Sequence, residues 1–550
     1  MKKSLFTSLA IIICLFNVFS QSSINKFVNN IKVPLKKYKV TDINFTLKKL
    51  PKANPFDVLF GATVTGMNNY SCNIRGYYNG NNEWVIRFSA NTTGIFSFTT
   101  YSSEPELSGL TGTINVTENN NPDSHGGISI NKRTPQNFTF EDGTTYFGLA
   151  FELDWLFALD YKNKQDIPRT RQIIKDIKDN GFNQVVMNVY AYDIGWKTDT
   201  VPPEYEYRKP DFFPFKGSNE KPDFTGLNVD FFEHFDRVIQ HLDEQGIAAH
   251  IMIYVWNKKV KWPDMNTWAD NLYFDYVISR YQAFTNVIWD ISKEALDYGR
   301  CDIPYINERI SRIRKGDNFH RLITVHDYEY CSREPDKIDF ISVQNWRSNI
   351  LAGMKEIRKI YRDKPVMNIE HGGYEKGPYR SFEGNYTNPE TCLIRNYECA
   401  FAGVYSTYYW QNTSWNIVIY DPLRKGQAFS PPRFDYYKHM RALFTEYDFN
   451  TLFPPGSKLT TNGREGLNNL STNGFPLTNG DDLFLFLVPS EAETISTIVP
   501  EPASGLEEVT WFNPFTGEYI EKGKTPWSAW KEFKSPWKNT CSVLIIKLVK

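Results

Sequence analysis

The feature that most restricts this chain is a rhythm over residues 138–447, where short apolar and aromatic runs alternate with amphipathic segments of helical spacing. Eight runs read as strands, at 145–151, 184–190, 248–256, 286–292, 322–326, 339–344, 365–370 and 404–410. Segments such as 167–180, 231–245, 303–315 and 350–362 read as the helices between them. Strand and helix in alternation build a parallel sheet covered by helices. Eight such units predict a closed (β/α)8 TIM barrel, since an open doubly wound sheet more often has fewer strands and a glycine-rich phosphate turn. The sequence has neither a GxGxxG nor a Walker loop.

The flanks follow a different pattern. Over 31–135, short alternating runs such as 57–64, 83–88 and 94–100 are separated by turns like Asn79-Gly80-Asn81-Asn82, which predicts an immunoglobulin-like β-sandwich. Over 454–550, a stretch rich in Gly, Asn and Thr leads into runs at 482–488, 508–512 and 541–546, which predicts a linker and a second β-sandwich. At the start, Lys2 and Lys3 precede an apolar run from Leu5 to Phe19, followed by Ser20 and polar Gln21. That is the pattern of a cleaved secretory signal over 1–20, and the run is shorter than the ~20 residues a membrane anchor needs. The expectation is a secreted or periplasmic protein without a transmembrane segment. Six cysteines remain beyond residue 20, with no CxxC pair, so no metal site is expected; Cys301 and Cys331 are the nearest candidates for a disulfide. A net charge of −1 with 23 % charged residues excludes a basic nucleic-acid binder.

Strands of a parallel barrel are buried on both faces and should be nearly all apolar. Several of these are not. Alternation places Asp290, Ser292 and Glu294 on one face of the fourth strand, and Asn368 with Glu370 on one face of the seventh. The second strand groups Gln184, Asn188 and Tyr190; the third His250, Tyr254 and Trp256; the fifth Thr324 and His326; the sixth Ser342, Gln344 and Trp346. These faces are read as pointing into the barrel, with His250 as a satisfied core residue. An unpaired buried polar group costs about 1–3 kcal/mol, so such a ring calls for mutual hydrogen bonds or a function. Glu294 and Glu370 would face one another at the C-terminal mouth, where barrel enzymes work. Two carboxyls across a sugar-sized opening are the apparatus of glycoside hydrolysis. Aromatic residues make up 16 % of the chain, and Trp155, Trp256, Trp346 and Trp410, each at or just past a strand end, would supply flat stacking faces.

The segment Asn286-Val287-Ile288-Trp289-Asp290-Ile291-Ser292-Lys293-Glu294 resembles the fourth strand of clan A glycoside hydrolases, and Pro365-Val366-Met367-Asn368-Ile369-Glu370 resembles the seventh. The resemblance implies Glu294 as acid/base and Glu370 as nucleophile of a retaining enzyme that needs no cofactor. The whole arrangement is similar to secreted polysaccharide-degrading enzymes with a sandwich of unknown function, an apiosidase-like barrel and a collagen-binding-like tail, here carrying Trp511-Phe512-Asn513-Pro514-Phe515-Thr516-Gly517. It departs from clan A at Lys293, where Asn generally binds the sugar 2-hydroxyl. That contact would fall to Gln344 or Asn345, and Lys293 would either pair with an anionic substituent of the substrate or be a solvated residue beginning the next helix.

The expected partner is a plant or algal polysaccharide or its oligosaccharides. The expected substrate-binding set is Trp155, Asn188, Tyr190, Trp256, Lys293, His326, Gln344, Trp346 and Trp410, around Glu294 and Glu370. Two other readings remain at this point: a non-catalytic carbohydrate-binding protein, and a polysaccharide lyase using His326 with Tyr328 and Tyr330.

Overall fold

The computed structural model describes residues 30–193, 209–298, 300–347, 350–371, 388–409, 422–423, 433, 435–456, 459–460, 474–492 and 494–550. The 1–20 segment and Trp410 lie outside them. The centre is a ring of eight parallel strands: β1 (Leu149–Glu152), β2 (Gln184–Asn188), β3 (Ala248–Val255), β4 (Val287–Lys293), β5 (Ile323–His326), β6 (Ile341–Gln344), β7 (Val366–Glu370) and β8 (Tyr405–Tyr408). A helix follows each: α1 (Pro168–Asp179), α2 (Val229–Glu244), α3 (Trp268–Tyr281), α4 (Ile303–Gly316), α5 (Tyr328–Arg333), α6 (Ile350–Ile360), α7 (Pro389–Phe401) and α8 (Asp435–Glu446). The ladder runs unbroken from β5 back through β1 to β8, β7 and β6. At the β5/β6 seam, hydrogen bonds near the strand starts close the ring: Asp339 N donates to Ile323 O at 2.8 Å, and Thr324 Oγ1 to Phe340 O at 2.9 Å.

The polar interior is wired together. Tyr146 OH donates to Gln184 Oε1 at 3.0 Å, Gln184 Nε2 reaches His250 Nδ1 at 3.2 Å, and His250 Nε2 lies 2.9 Å from Asp290 Oδ2. His250 is thus a core residue with both ring nitrogens engaged. Below this chain a hairpin (Ile128–Ile130 with Phe138–Phe140) closes the floor, its Phe138 ring packing on Phe340 and Tyr405 at the N-terminal ends of the strands.

The flanking regions are β-sandwiches. The first packs a five-stranded sheet (Ile31–Lys36, Thr111–Thr117, Gly94–Ser102, Phe60–Thr65, Ser71–Arg75) on a three-stranded one (Val40–Thr46, Glu83–Ser89, Tyr77–Tyr78), over a core including Phe45, Trp84, Phe88 and Phe98. The last packs a five-stranded sheet on the pair Thr494–Thr497 and Lys531–Lys534, around Phe486, Trp511 and Phe533. All six described cysteines are free thiols, so Cys301 and Cys331 are not bridged; Cys331 Sγ instead donates to Val325 O at 3.2 Å. No described helix is long and apolar enough to cross a membrane.

The first sandwich is joined to the barrel by buried charge. Arg87 donates two hydrogen bonds to Asp42 at 2.7 and 2.8 Å within the sandwich, two to Asp236 of α2 at 2.9 and 3.4 Å, and one to the carbonyl of Arg280 at 2.8 Å. Arg280 of α3 grips the same Asp236 through two bonds of 2.8 Å. Burial alone would raise the Asp236 carboxyl, but Arg280 and Arg87 outweigh it and hold it at about 2. Removing one partner of such a group leaves an uncompensated buried charge, so Arg87→Met should cost about 3–5 kcal/mol of stability. Denaturant unfolding measures this, and a loss below about 1 kcal/mol would mean the sandwich is only loosely attached.

Candidate active site

Two register shifts near the C-terminal ends of the strands form the site. Along β4 and β5, Asp290 pairs with Thr324 but Lys293 pairs with His326, so β4 holds one extra residue there. A β-bulge of this kind re-aims the side chains beyond it. It turns Lys293, which strict alternation assigns to the outer face, into the barrel, and β3 turns with it. Tyr254, expected inside, instead points out to α3, where its hydroxyl donates to Asp270 Oδ1 at 2.5 Å. Asp290 supports the bulge: its Oδ1 accepts from the backbone N–H of Ser292 at 3.2 Å and of His326 at 2.9 Å. Glu294 then adopts the left-handed region at φ 53°, with its N–H on His326 O at 2.9 Å. This conformation is uncommon for a residue with a side chain and carries strain.

The second shift lies between β6 and β7, where Val343 pairs with Asn368 and Gln344 with Glu370. Asn368, expected inside, therefore points outward, its amide 3.7 Å from Cys399 Sγ on α7. Met367 lies inside, its Sδ 3.8 Å from Gln184 Nε2, and Glu370 returns to the interior.

Glu294 and Glu370 meet across one amide. Gln344 Nε2 donates to Glu294 Oε1 at 3.1 Å and to Glu370 Oε2 at 2.6 Å, so those two oxygens are no further apart than the bonds laid end to end, about 5.7 Å. Asn257 Nδ2 donates to Glu294 Oε2 at 2.5 Å. Beneath them, Lys293 Nζ lies 2.5 Å from Glu370 Oε1, 2.5 Å from Glu152 Oε1 and 3.4 Å from Asp154 Oδ2. Lys258 Nζ shares Asp154 at 3.4 Å. His326 Nε2 is 3.5 Å from Glu370 Oε1.

Four carboxyl groups therefore face two ammonium groups in a buried volume, an excess of acids that favours the protonated form. The resolved carboxyl shifts run in that direction. Burial, reinforced by the charge of Glu370, raises the Glu294 carboxyl to about 7. Burial raises Glu152 well above the carboxylate range despite its lysine. For Lys293, burial acts to lower the ammonium, but the surrounding carboxyls outweigh it and push it well above its ordinary value. Burial lowers Lys258, and burial followed by Lys293 lowers His326 to about 3. His326 is thus neutral at physiological pH. Tyr330, which a lyase would need nearby, is turned to Asn307 at 2.6 Å.

The other expected residues divide. Asn188 is buried at the site and donates to Asp154 O at 3.2 Å. Trp155 is 2 % exposed, with Lys258 Nζ 5.7 Å from its ring centre. Trp256 stacks on Tyr254, and Trp346 meets Tyr409 edge-on. Tyr190 does not belong to the site: β2 ends at Asn188, and the Tyr190 ring is packed among Phe157, Phe213 and Trp262. Lys293 is neither solvated nor open to a substrate anion, since its ammonium is surrounded by carboxyls. Sequence reading missed Glu152, Asp154, Asn257 and Lys258. The available signals were the acid-apolar alternation of Glu152-Leu153-Asp154-Trp155 and the polar pair directly after Trp256. Six of the polar atoms here have no hydrogen-bond partner among the described residues, namely Asp154 Oδ1, Trp155 Nε1, Asn188 Oδ1, Trp256 Nε1, Asn257 Oδ1 and His326 Nε2, while Glu370 Oε1 meets Lys293 as an ion pair only.

A closed (β/α)8 ring with opposed carboxyls at its C-terminal mouth defines the glycosidase class of barrel. The apiosidase-like catalytic domain model matches residues 133–451, and a domain of unknown function (DUF5060) matches 34–103. The chain belongs to the apiosidase-like family and is a glycosidase. No curated protein matches it. Among solved structures, a candidate glycoside hydrolase from Bacteroides vulgatus ATCC 8482 superposes with a TM-score of 0.75 at 20 % identity, covering 94 % of this chain and 100 % of that one. A family 5 glycoside hydrolase from the same organism gives a TM-score of 0.57 at 17 % identity, over 78 % of this chain and 94 % of that one. These two likenesses establish shared architecture.

The raised Glu294 carboxyl has a consequence for stability. A carboxyl that the fold keeps protonated up to about pH 7, but that ionises near 4.5 when unfolded, contributes stability that is lost as pH rises through that window. Glu294→Gln should therefore flatten the fall in Tm between about pH 5 and pH 8, leaving the share due to Glu152. An unchanged slope would mean Glu294 is ionised throughout.

Proposed function

We propose that the protein is a retaining glycoside hydrolase, with Glu294 as acid/base and Glu370 as nucleophile. The observation that carries this is the Gln344 amide bonded to both carboxyls, which limits the oxygens it touches to about 5.7 Å. Retaining pairs sit about 5–5.5 Å apart, whereas inverting pairs stand at roughly 6.5–9.5 Å to admit a water. Glu294, protonated near neutral pH, gives its proton to the leaving oxygen as Glu370 attacks the anomeric carbon. Water then breaks the glycosyl ester, with Glu294 as base. No cofactor enters the scheme. The unpartnered donors and acceptors of Trp155, Asn188, Trp256 and Asn257 are suited to the hydroxyls of a bound sugar.

The substrate class we infer is a plant or algal polysaccharide or its oligosaccharides, met outside the cytoplasm. The charged, apolar and polar succession of residues 1–20 supports export. A screen of such glycans for reducing-end release, with apiose-bearing ones included because of the family's description, identifies the substrate. With it, Glu294→Gln should lower turnover by about 10²–10⁴-fold, the usual contribution of a general acid. Glu370→Gly should be inactive until azide is added, and should then yield a glycosyl azide of inverted configuration. Proton NMR of the first-formed product from the wild type provides the decisive contrast, because an inverted anomer would rule out the covalent route.

A further inference from the structure

Lys293 is a charged residue of the motif that this scheme does not use. It occupies a strand position that normally faces a helix, and only the β4 bulge brings it inside. Its side chain is 2 % exposed. An ammonium has three N–H donors. Two of them go to Glu152 and Asp154, and the Glu370 carboxylate stands 2.5 Å from the same ammonium as an ion pair, so carboxyls already occupy the space a substrate anion would need.

We propose that Lys293 is a positioning residue for Glu370: its ammonium, aimed by Glu152 and Asp154, holds Oε1 and fixes both the orientation and the negative charge of that carboxylate. This rests on Glu370 being the nucleophile. Glu370 is gripped at both ends, Oε1 by Lys293 and Oε2 by Gln344, so the plane of the carboxylate is set before a sugar arrives. The charge argument runs in the same direction. A carboxylate at 1 % exposure needs a compensating cation, and Lys293 Nζ stands 2.5 Å from Glu370 Oε1.

Other titratable groups face this pair. On its own strand is Asp290 and just past its end Glu294, on β5 the neutral His326, and after β8 Tyr409, whose ring centre is 5.9 Å from Nζ. Tyr298, in the turn after β4, feels both charges. β2 and β6 contribute the uncharged Asn188 and Gln344. None of these is a cation at physiological pH, so none can replace the lysine.

A double-mutant cycle in Tm tests the pairing without any substrate. Lys293→Met leaves the Glu370 carboxylate without its cation and should lower Tm. Adding Glu370→Gln removes the orphaned charge and should recover part of that loss, whereas additive effects would overturn the proposal. If Lys293→Met does not fold, recovery of a folded protein in the double variant answers the same question, and failure to recover overturns it. On the substrate found by screening, losing the ammonium makes Glu370 harder to ionise. The acid limb of kcat/KM should then move up by at least one pH unit in Lys293→Met and return in Lys293→Arg. A folded Lys293→Met with an unmoved limb also overturns the proposal. If the cycle is non-additive but Glu370→Gln keeps turnover, the pairing stands and the assignment of Glu370 as nucleophile falls.

Discussion

The site depends on the carboxylate of Asp290. A bulge in a buried strand leaves backbone N–H groups without ladder partners, each costing about 1–3 kcal/mol if unmet. Asp290 accepts from two of them, Ser292 and His326, and is itself held by His250. Without that acceptor the ladder would favour regular alternation, sending Lys293 out toward the helices. Glu294 in its left-handed conformation follows directly from the bulge and is secured to the same neighbour through His326 O. The polar chain from Tyr146 at the floor to Asp290 below the mouth therefore belongs to the machinery that presents Glu294.

Among a surplus of carboxyls over ammonium groups, the two glutamates have different neighbours. Glu294 is bonded to two amides, from Gln344 and Asn257, and has no ion pair closer than those bonds. Glu370 stands directly against an ammonium. With burial acting on both, the amide-bound carboxyl is raised to about 7, while Glu370 has a cation directly against it. The acid and nucleophile proposed here would thus be distinguished by which neighbour each carboxyl has, and those neighbours are set by the two register shifts.

The barrel was legible because eight apolar runs separated by helical spacing have few other solutions. Both glutamates were legible because a strand-ending acid survives small errors of register. Side chains next to a bulge were not, since one inserted residue reverses the parity between its two sides: Asn368 and Tyr254 were read as inside and face helices, while Lys293 was read as meeting a substrate anion or solvent and faces carboxyls of its own chain. Tyr190 was misplaced for a related reason, because alternation has no meaning after β2 ends at Asn188. Glu152 and Asp154 escaped notice because the first strand was read as ending at Phe151, one residue before the acids begin. A free thiol such as Cys331 cannot be told from a half-cystine by spacing alone.

The N-terminal sandwich bears on the site through the helices it grips. Arg87 ties it to α2 and α3 together, since Asp236 of α2 is shared between Arg87 and Arg280 of α3. Near its N-terminus α3 also carries Asp270, which accepts from Tyr254 of β3 and Tyr305 of α4. Tyr254 is the residue that the bulge turns outward, two positions before Trp256 and three before Asn257, the amide donor to Glu294. The position of α3 therefore bears on where β3 ends and where that donor stands. A sandwich fixed to α3 by buried charge is part of the scaffold that sets the Glu294 environment, in contrast to a module hung on a flexible linker, whose removal would leave the barrel's own contacts unchanged.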